Sequence, residues 1–262
     1  MPPRPERSKA SLMNSGEDIL YGIHPVAETF CAGRRTISEL IISGQKPGAK
    51  IRELIGQAKA KNIPVSRQTK EAMNRLAGPE NHQGVAARVS PYPAVDWAEL
   101  IMAPSGPCIF LLLDSIADPQ NLGALIRTAL CVGVKAVVIP KDRSAGPTPA
   151  VSKASAGALE HIALARVSNL VYIMKDLKKI GAWITGLEAA ARQSIYAMDF
   201  SGTAAIVIGG EAGGLRPLVR RECDFLAHIP MAATAVNSLN AAVAGGVVLY
   251  EAFRQQGAAA KT

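Results

Sequence analysis

The chain has 262 residues, of which 48% are hydrophobic and 19% are charged, a composition that excludes an intrinsically disordered protein. No apolar stretch approaches the roughly 18 residues that a membrane-spanning helix needs, and the first 17 residues lack the apolar core of a signal peptide, so we expect a cytoplasmic protein without a membrane partner. Residues 1–92 contain 14 Lys and Arg against 8 Asp and Glu, whereas residues 93–262 contain 15 against 13, and this basic first third favours an anionic polymer as partner.

The first part of the chain predicts a small α/β unit behind a flexible tail, residues 1–17. Apolar residues at helical spacing lie between two short apolar runs, and a third run follows a polar turn. The predicted elements are a strand at 39–44, a helix around 51–58, a strand at 63–65 and a strand at 84–89. Four prolines and a glycine then predict a linker over residues 91–107.

From Cys108 onwards, short apolar strands alternate with amphipathic helices. The predicted strands are 108–113, 136–140, 162–167, 182–186, 204–210 and 225–230, and the predicted helices are 121–132, one after Thr148, 169–180, one short helix after 210, and a long helix from Ser238. This alternation predicts a mostly parallel sheet with helices on both faces. Ligands of such sheets bind at the carboxyl ends of the strands, so the loops there are the candidate functional positions.

Three strand-exit loops combine turn residues with polar side chains. The first, "DSIADPQNLGALIR", places Asn121 as a candidate helix cap and Arg127 inside an apolar helix. In the third, "IPMAATAVNSLN", Asn237 or Ser238 can cap the last helix, with Asn240 in its first turn. The simplest interpretation of Arg127 is that it lies on the solvent-exposed face of the helix, because Leu122 and Ile126 define the apolar face.

The second loop, "GGEAGGLRP", places Glu211 among four glycines. It lacks the Lys-Ser/Thr pair of an NTPase phosphate loop, and the glycine spacing does not fit a dinucleotide fingerprint. Because Glu211 would repel an anion, the loop favours a neutral or cationic ligand. Cysteines and histidines are scattered along the chain without metal-ligand spacing, so the sequence indicates neither a zinc site nor a disulfide framework, and we expect no metal.

The motifs "NLGALIR", "GGEAGG" and "IPM" followed by "SLNAAVAGGVVLYEAFRQ", in this order, resemble the three signatures of the SpoU (TrmH-like) RNA 2'-O-ribose methyltransferases. Within that family, "LYGIHPVAE" and "NHQGVAARV" look most like the group that methylates a guanosine in bacterial 23S ribosomal RNA. One departure lies in the third motif, where "AATAVN" places six residues without glycine between Met231 and Ser238 instead of the usual five.

The resemblance implies a knotted SPOUT-type α/β catalytic domain over residues 108–257, before a short tail at 258–262. It implies a C-terminal trefoil knot, an exception to the usual absence of knots, S-adenosylmethionine as cofactor, and a homodimer formed through the catalytic domain. It also implies that residues 18–90 form a domain resembling ribosomal protein L30e that binds ribosomal RNA.

The family's motif positions imply which residues form the site. The implied catalytic residues are Arg127, Glu211, Asn121, Ser238 and Asn240; the implied cofactor contacts are Gly209, Ile229, Leu239, Gly186 and Met231. The candidate RNA contacts are Arg34, Arg35, Lys46, Lys50, Arg52, His82 and Arg143.

Two roles are open for Arg127. A general base must lose its charge, whereas a charged clamp on the target phosphate must keep it, and a guanidinium resists deprotonation. Two other functions also stay open at this point: methylation of transfer RNA or another ribosomal RNA position, and an RNA-binding module without activity.

Overall fold

The computed structural model describes residues 16–44, 46–78, 82–102, 106–211, 213–232 and 238–259. Their strands form two sheets, one of four strands and one of seven. The predicted tails lie largely outside these residues. No helix in the described ranges has both the length and the apolar character needed to cross a bilayer.

The first sheet has the strand order β1-β4-β2-β3, with β3 parallel to β2 and the other pairs antiparallel. Its elements are β1 Asp18–Tyr21, α1 Ile23–Ala32, β2 Ile37–Ser43, α2 Ala49–Ala60, β3 Val65–Gln68, α3 Lys70–Ala77 and β4 Val85–Val89. The core of this sheet consists of Leu20, Val26, Leu40, Leu54 and Val85, all buried, with their neighbours on the same face. Sequence patterning located β2, α2 and β4, placed β3 too early, and missed β1, α1 and α3.

The second sheet is entirely parallel, in the order β7-β6-β5-β10-β8-β11-β9. Its strands are β5 Ile109–Asp114, β6 Ala136–Pro140, β7 Leu164–Val167, β8 Trp183–Leu187, β9 Gln193–Ser194, β10 Ala204–Gly209 and β11 Phe225–His228. The helices are α4 Trp97–Leu100, α5 Pro119–Cys131, α6 Pro149–Ala154, α7 Leu170–Lys179, α8 Pro217–Glu222 and α9 Ala241–Ala259. The predicted fold class is therefore confirmed.

Helices cover both faces of the parallel sheet. Alternate residues of β5 show this directly: Leu111 and Leu113 pack in the core on the side of α5 and α9, while Phe110 and Leu112 pack on the side of α7. Since a strand has a period of two, the wholly apolar run Ile109–Leu113 is what a strand buried on both faces requires.

The segment predicted as a linker packs against this domain. Residues 97–100 form α4, where Trp97 and Leu100 are buried, and the Trp97 ring meets Phe110 edge-on at 6.0 Å between centroids. The surrounding prolines predict a linker, so the burial of Trp97 and Leu100 is not evident from the sequence. Residues 103–105 lie outside the described residues.

Two predicted helix caps are wrong. Asp118, not Asn121, caps α5 by accepting a hydrogen bond from the backbone N–H of Gln120 at 3.0 Å. Asn240, rather than Ser238, accepts from the N–H groups of Ala242 and Val243 at the start of α9. Asn121 therefore lies in the first turn of α5 and Asn240 is the cap of α9, so the side chain of Asn121 is not used as a helix cap. The alternative cap Asn237 lies outside the described residues.

α9 approaches α5 and β10 closely through Gly245. A Cβ atom there would lie 2.2 Å from Leu125 and 2.8 Å from Ile208, whereas the neighbouring Gly246 has open space. Close packing of α9 therefore requires a glycine at 245 but not at 246. Most of the lengthened third loop, residues 233–237, lies outside the described residues, and the knot implied by the resemblance stays a prediction.

Candidate active site

A cavity of about 450 Å³ opens at the carboxyl ends of β8, β10 and β11, where parallel-sheet proteins bind ligands. We call it the first cavity. It is lined by residues 187–189, 208–211, 214, 227–229, 231, 238–241 and 244. Its walls therefore come from the second and third of the three loops that the sequence singled out.

Asn121, Glu211 and Asn240 form a hydrogen-bonded chain at this cavity. The Asn121 side chain donates to a carboxylate oxygen of Glu211, and its own oxygen accepts from Asn240 Nδ2 at 3.0 Å. Asn121 is 8% exposed. These residues are 90 and 119 positions apart along the chain, and the parallel sheet brings their loops together. The hydrogen bond from Asn121 is charge-assisted and fixes the direction of the Glu211 carboxylate.

Asp114 holds the glycine-rich loop in place, and sequence reasoning missed it. This carboxylate, 0% exposed at the end of β5, accepts from both the backbone N–H (2.8 Å) and the Nε (2.6 Å) of Arg216. The signal for it in the sequence is an acidic residue at the end of an otherwise apolar strand. Losing the Arg216 partner would leave a buried charge uncompensated, so the pair ties the loop end to the sheet.

Glycines let the loop that carries Glu211 fold back on itself. Gly210 and Gly214 form an isolated bridge, closed by a 2.9 Å hydrogen bond from the Gly214 N–H to the Gly210 carbonyl. A Cβ at Gly209 would lie 2.2 Å from the Gly214 backbone. No other residue fits that space, so Gly209 is required by close backbone approach.

The first cavity suits a ligand with an apolar flat part and a polar or cationic part. Its volume falls in the usual range for small-molecule sites, about 300 to 1,000 Å³. Leu187, Ile229 and Leu239 supply apolar wall, and Glu211 supplies negative charge. The buried Nδ1 of His228, another lining residue, has no hydrogen-bond partner among the described residues. The residues present thus fit S-adenosylmethionine, whose adenine is flat and whose sulfonium is cationic.

The expected cofactor contacts fall into two groups. Gly209, Ile229, Met231, Leu239 and the catalytic candidate Ser238 line the first cavity. Gly186 does not: it is buried in β8, where a Cβ would lie 2.7 Å from Leu215 and 2.8 Å from Cys223. Its role in this structure is close packing, and the expected contact with the cofactor stays a prediction.

Arg127 lies elsewhere. It is exposed and lines a second cavity, of about 530 Å³, together with His24, Glu28, Leu130, Cys131, Ser155, Ala156, Ala158 and His161. On α5, Arg127 follows Asn121 by six residues, which is about 9 Å along the axis and a different face. A single chain therefore does not bring Arg127 into the cavity that contains Glu211.

Arg34 and Arg35 both have internal partners. Arg35 is 5% exposed and pairs with Asp18 and Glu160, while its Nε donates to the Ser90 carbonyl at 2.7 Å. Arg34 donates to the carbonyl oxygens of Ile162 and Pro93. Both guanidinium groups donate to partners that join the part of the chain around the first sheet to the catalytic part, and the buried Arg35 is not available to phosphate.

His82 is also internal rather than an RNA contact. It is buried, its Nε2 lies 2.8 Å from Asn74 Oδ1, and its Nδ1 accepts from the Gly84 N–H at 3.0 Å. Burial lowers the pKa of this imidazole, with a smaller contribution from Lys70. A neutral ring that orders its own loop cannot neutralise a phosphate.

The other candidate RNA contacts lie on the surface. All four are exposed: Lys46, Lys50, Arg52 and Arg143. Arg143 follows β6, so it lies at the edge of the sheet where the strands end and where the first cavity opens. Arg52 donates one hydrogen bond to the Pro47 carbonyl at 2.8 Å. Their role in binding RNA stays a prediction.

Comparison with known proteins places both parts of the chain in one family. Residues 108–250 match the model of the SpoU rRNA Methylase family. Residues 19–95 match the model described as RNA 2'-O ribose methyltransferase substrate binding. The two models together span most of the chain. The substrate-binding model covers the four-stranded sheet, and the methylase model covers the seven-stranded sheet.

Individual relatives resemble the chain over nearly its full length. A protein of Xylella fastidiosa (strain 9a5c), named 23S rRNA (guanosine-2'-O-)-methyltransferase RlmB, is 40% identical over 93% of this chain and 99% of its own. One of the same name from Vibrio vulnificus (strain CMCP6) is 37% identical over 91% and 97%. The crystal structure of the SpoU methyltransferase AviRb from Streptomyces viridochromogenes with AdoMet has a TM-score of 0.78, 25% identity and coverage of 94% and 92%.

Proposed function

The chain belongs to the SpoU rRNA methylase family, and from that premise we propose that it methylates the 2'-hydroxyl of a guanosine in 23S ribosomal RNA, with S-adenosylmethionine as methyl donor. Relatives named for this reaction match at 37 to 41% identity over more than nine tenths of the chain. The observation that carries the proposal is the hydrogen-bonded chain of Asn121, Glu211 and Asn240 at the mouth of a cavity of suitable size.

The residues of the first cavity hold the cofactor in this proposal. Ile229, Leu239 and Met231 line the cavity and would contact its adenine, and the bent glycine loop would allow backbone groups to approach it. When bound, S-adenosylmethionine supplies an electrophilic methyl group for the ribose oxygen. Glu211, oriented by Asn121, stabilises positive charge beside the reacting atoms, and Ser238 positions the ribose.

We propose that Arg127 acts in a site shared with a second copy of the chain. The exposed apolar residues of α9, Val243, Tyr250 and Phe253, and Leu130 beside Arg127 on α5 form faces that a second copy would cover. α5 and α9 pack against each other; α9 borders the first cavity and α5 borders the second. Pairing through these helices would bring Arg127 of one chain to the first cavity of the other.

Arg127 then acts as a charged clamp. A clamp uses the charged planar fork that arginine ordinarily carries, whereas a base role needs a neutral guanidine. A charged fork can grip the target phosphate and stabilise the alkoxide that develops as the 2'-hydroxyl releases its proton to water. The ribose oxygen would take the methyl group and S-adenosylhomocysteine would leave, and alignment of the two substrates supplies much of the rate.

We propose that residues 18–90 bind ribosomal RNA. The exposed Lys46, Lys50 and Arg52 lie around the start of α2 and would contact phosphate. The division into a tail at 1–17, this domain, a segment at 91–107 and a catalytic domain at 108–257 is part of the proposal, and the cytoplasmic location stays a prediction.

The test uses the full chain, labelled S-adenosylmethionine and 23S ribosomal RNA from a strain that lacks the corresponding methylation. We expect label at one guanosine 2'-oxygen, mapped by nuclease resistance and mass spectrometry. Label in transfer RNA instead would change the substrate. No transfer together with no cofactor uptake by calorimetry would identify an inactive RNA-binding module.

A further inference from the structure

We propose that the second cavity contains a Zn²⁺ site formed by Glu28, Cys31 and His161, which joins helix α1 to the catalytic domain. One carboxylate oxygen, one sulfur and one ring nitrogen from these residues lie within 4.8 Å of one another. The proposal is independent of methyl transfer and uses residues that the proposed catalytic machinery does not.

The ligands come from two distant parts of the sequence. Glu28 and Cys31 are three residues apart on one face of α1, while His161 follows a short 3₁₀ helix at residues 158–160. His161 Nε2 lies 2.7 Å from Glu28 Oε2, so two of the three donors already meet. A tetrahedral zinc ion holds its ligand atoms roughly 3 to 4 Å apart, so side-chain rotations alone would admit the metal.

The backbone around the cluster is shaped to bring Glu28 close. Gly157, at φ 88°, lies so near that a Cβ there would meet Glu28 Cγ at 2.5 Å and Cβ at 2.7 Å. The same seam is fixed by Tyr92, which donates to the Ile162 carbonyl at 2.7 Å, and by Arg34, which donates to the same oxygen. A metal here would bridge two elements that already hold their relative positions, so little ordering entropy opposes binding.

The donor set selects zinc. Thiolate and imidazole ligands favour Zn²⁺ over the hard ions Mg²⁺ and Ca²⁺, which prefer oxygen. Three protein ligands leave a fourth position for water or for His24, which lies one turn earlier on α1 and lines the same cavity. On binding, Cys31 releases its thiol proton to solvent. The two negative ligands balance the ion, so the nearby Arg127 faces a neutral site.

Cys31 is the suitable thiol among the four cysteines of the chain. It is exposed, whereas burial raises the pKa of the thiols of Cys108 and Cys223, to about 12 for Cys223. Cys131 is also exposed and lines the second cavity, but it is not part of the cluster. Cys131 therefore provides a matched control for an unspecific thiol.

The experiment measures metal bound by the untagged full chain after chelator treatment, addition of ZnCl₂ and gel filtration. We expect about one zinc per chain and a higher melting temperature with zinc. Cys31→Ser and His161→Gln should each weaken binding more than about 100-fold, because groups that only orient a ligand already contribute about 10- to 100-fold. Cys131→Ser should bind zinc like the unchanged protein.

Co²⁺ provides a second measurement on the same proteins. A thiolate-to-cobalt charge-transfer band should appear in the unchanged protein and in Cys131→Ser, and it should be absent from Cys31→Ser. Substoichiometric zinc in the unchanged protein, or equal zinc in Cys31→Ser and the unchanged protein, would overturn the proposal. Circular dichroism of the exposed Cys31→Ser variant separates loss of metal from loss of fold.

Discussion

The two cavities differ in how far a single chain completes them. In the first, Asn121, Glu211 and Asn240 are bonded to one another before any ligand binds. In the second, Arg127 makes no hydrogen bond or ion pair with any residue in the described ranges. A site that binds a cofactor gains from fixed partners, whereas a residue that must grip another molecule needs free donors.

The comparison also separates two uses of arginine. Arg35 and Arg34 spend their donors on internal partners at the seam between the two parts of the chain. Arg127 keeps its donors for a ligand. Charge in the sequence is the same in the three cases, so only the surroundings tell a structural arginine from a functional one.

The largest effect is expected from Arg127→Lys, which sharpens the role of the second cavity. Lysine keeps the charge but loses the planar fork, and we expect transfer to fall about 100- to 1,000-fold, as when a positioned donor is removed from a reaction site. Cofactor affinity should not change. Arg221→Lys, at another exposed arginine on α8, is the control. Near-normal transfer by Arg127→Lys would contradict the clamp.

The next effect is expected at the glycine loop of the first cavity. Gly209→Ala forces a Cβ to within 2.2 Å of the Gly214 backbone, so the loop must shift, at a cost of up to about 3 kcal/mol, or roughly 100-fold in cofactor affinity. Gly213→Ala is the matched control, because nothing lies within 4 Å of its Cβ position. Calorimetry with S-adenosylmethionine measures both; equal affinity of the two variants would show that loop shape does not govern binding.

Asn121→Ala tests whether the hydrogen bonds that join Asn121 to Glu211 and Asn240 contribute to methyl transfer. It removes the hydrogen bond to Glu211 and leaves Asn240 Nδ2 without its acceptor, and hydrogen bonds to charged groups contribute about 1.5 to 3 kcal/mol. We expect transfer to fall about tenfold or more and the protein to unfold at lower denaturant concentration. Gln120→Ala, at the exposed neighbour, should change neither quantity. Unchanged methyl transfer by Asn121→Ala would show that the hydrogen bonds formed before ligand binding do not contribute to activity.

The smallest effect concerns the support of α1, which carries ligands of the second cavity. His82 orders the loop in which Gln83 accepts from the N–H of Ile23 at the start of α1. Because burial lowers the pKa of His82 below its ordinary value of 6.5, the unfolded chain takes up the proton first as the pH falls. Stability from this group is present above pH 6.5 and is lost as the pH falls towards the lowered pKa.

Denaturant unfolding between pH 7 and 5 measures this loss, with His82→Gln as the comparison. The variant should be less stable at pH 7 but should lose less stability on acidification, because glutamine does not titrate. A parallel loss in the two proteins would assign the pH dependence to carboxylates elsewhere.

Sequence patterning located the central strands of the second sheet well because β5, β6 and β10 are buried on both faces, so each is an unbroken apolar run, as in Ile109–Leu113. It missed the two-residue strand β9, which is exposed or half-buried. It missed β1 and α1, since a four-residue strand and a helix containing His24 and Pro25 give little periodic signal. It misread Trp97 as linker because the surrounding prolines dominated. The Asp114–Arg216 pair spans 102 positions, which no local pattern reports.

The order of apolar and polar residues determined most of the strands and helices and the three loops, because periods of 2 and 3.6 residues are local properties of a chain. Only the tertiary structure decided which polar side chains meet. It joined Asn121 to Glu211, turned Arg127 to another cavity, buried Arg35, and brought Cys31 to His161. Those meetings depend on how helices pack across a sheet and on loop geometry, and neither is encoded in the spacing of the residues along the sequence.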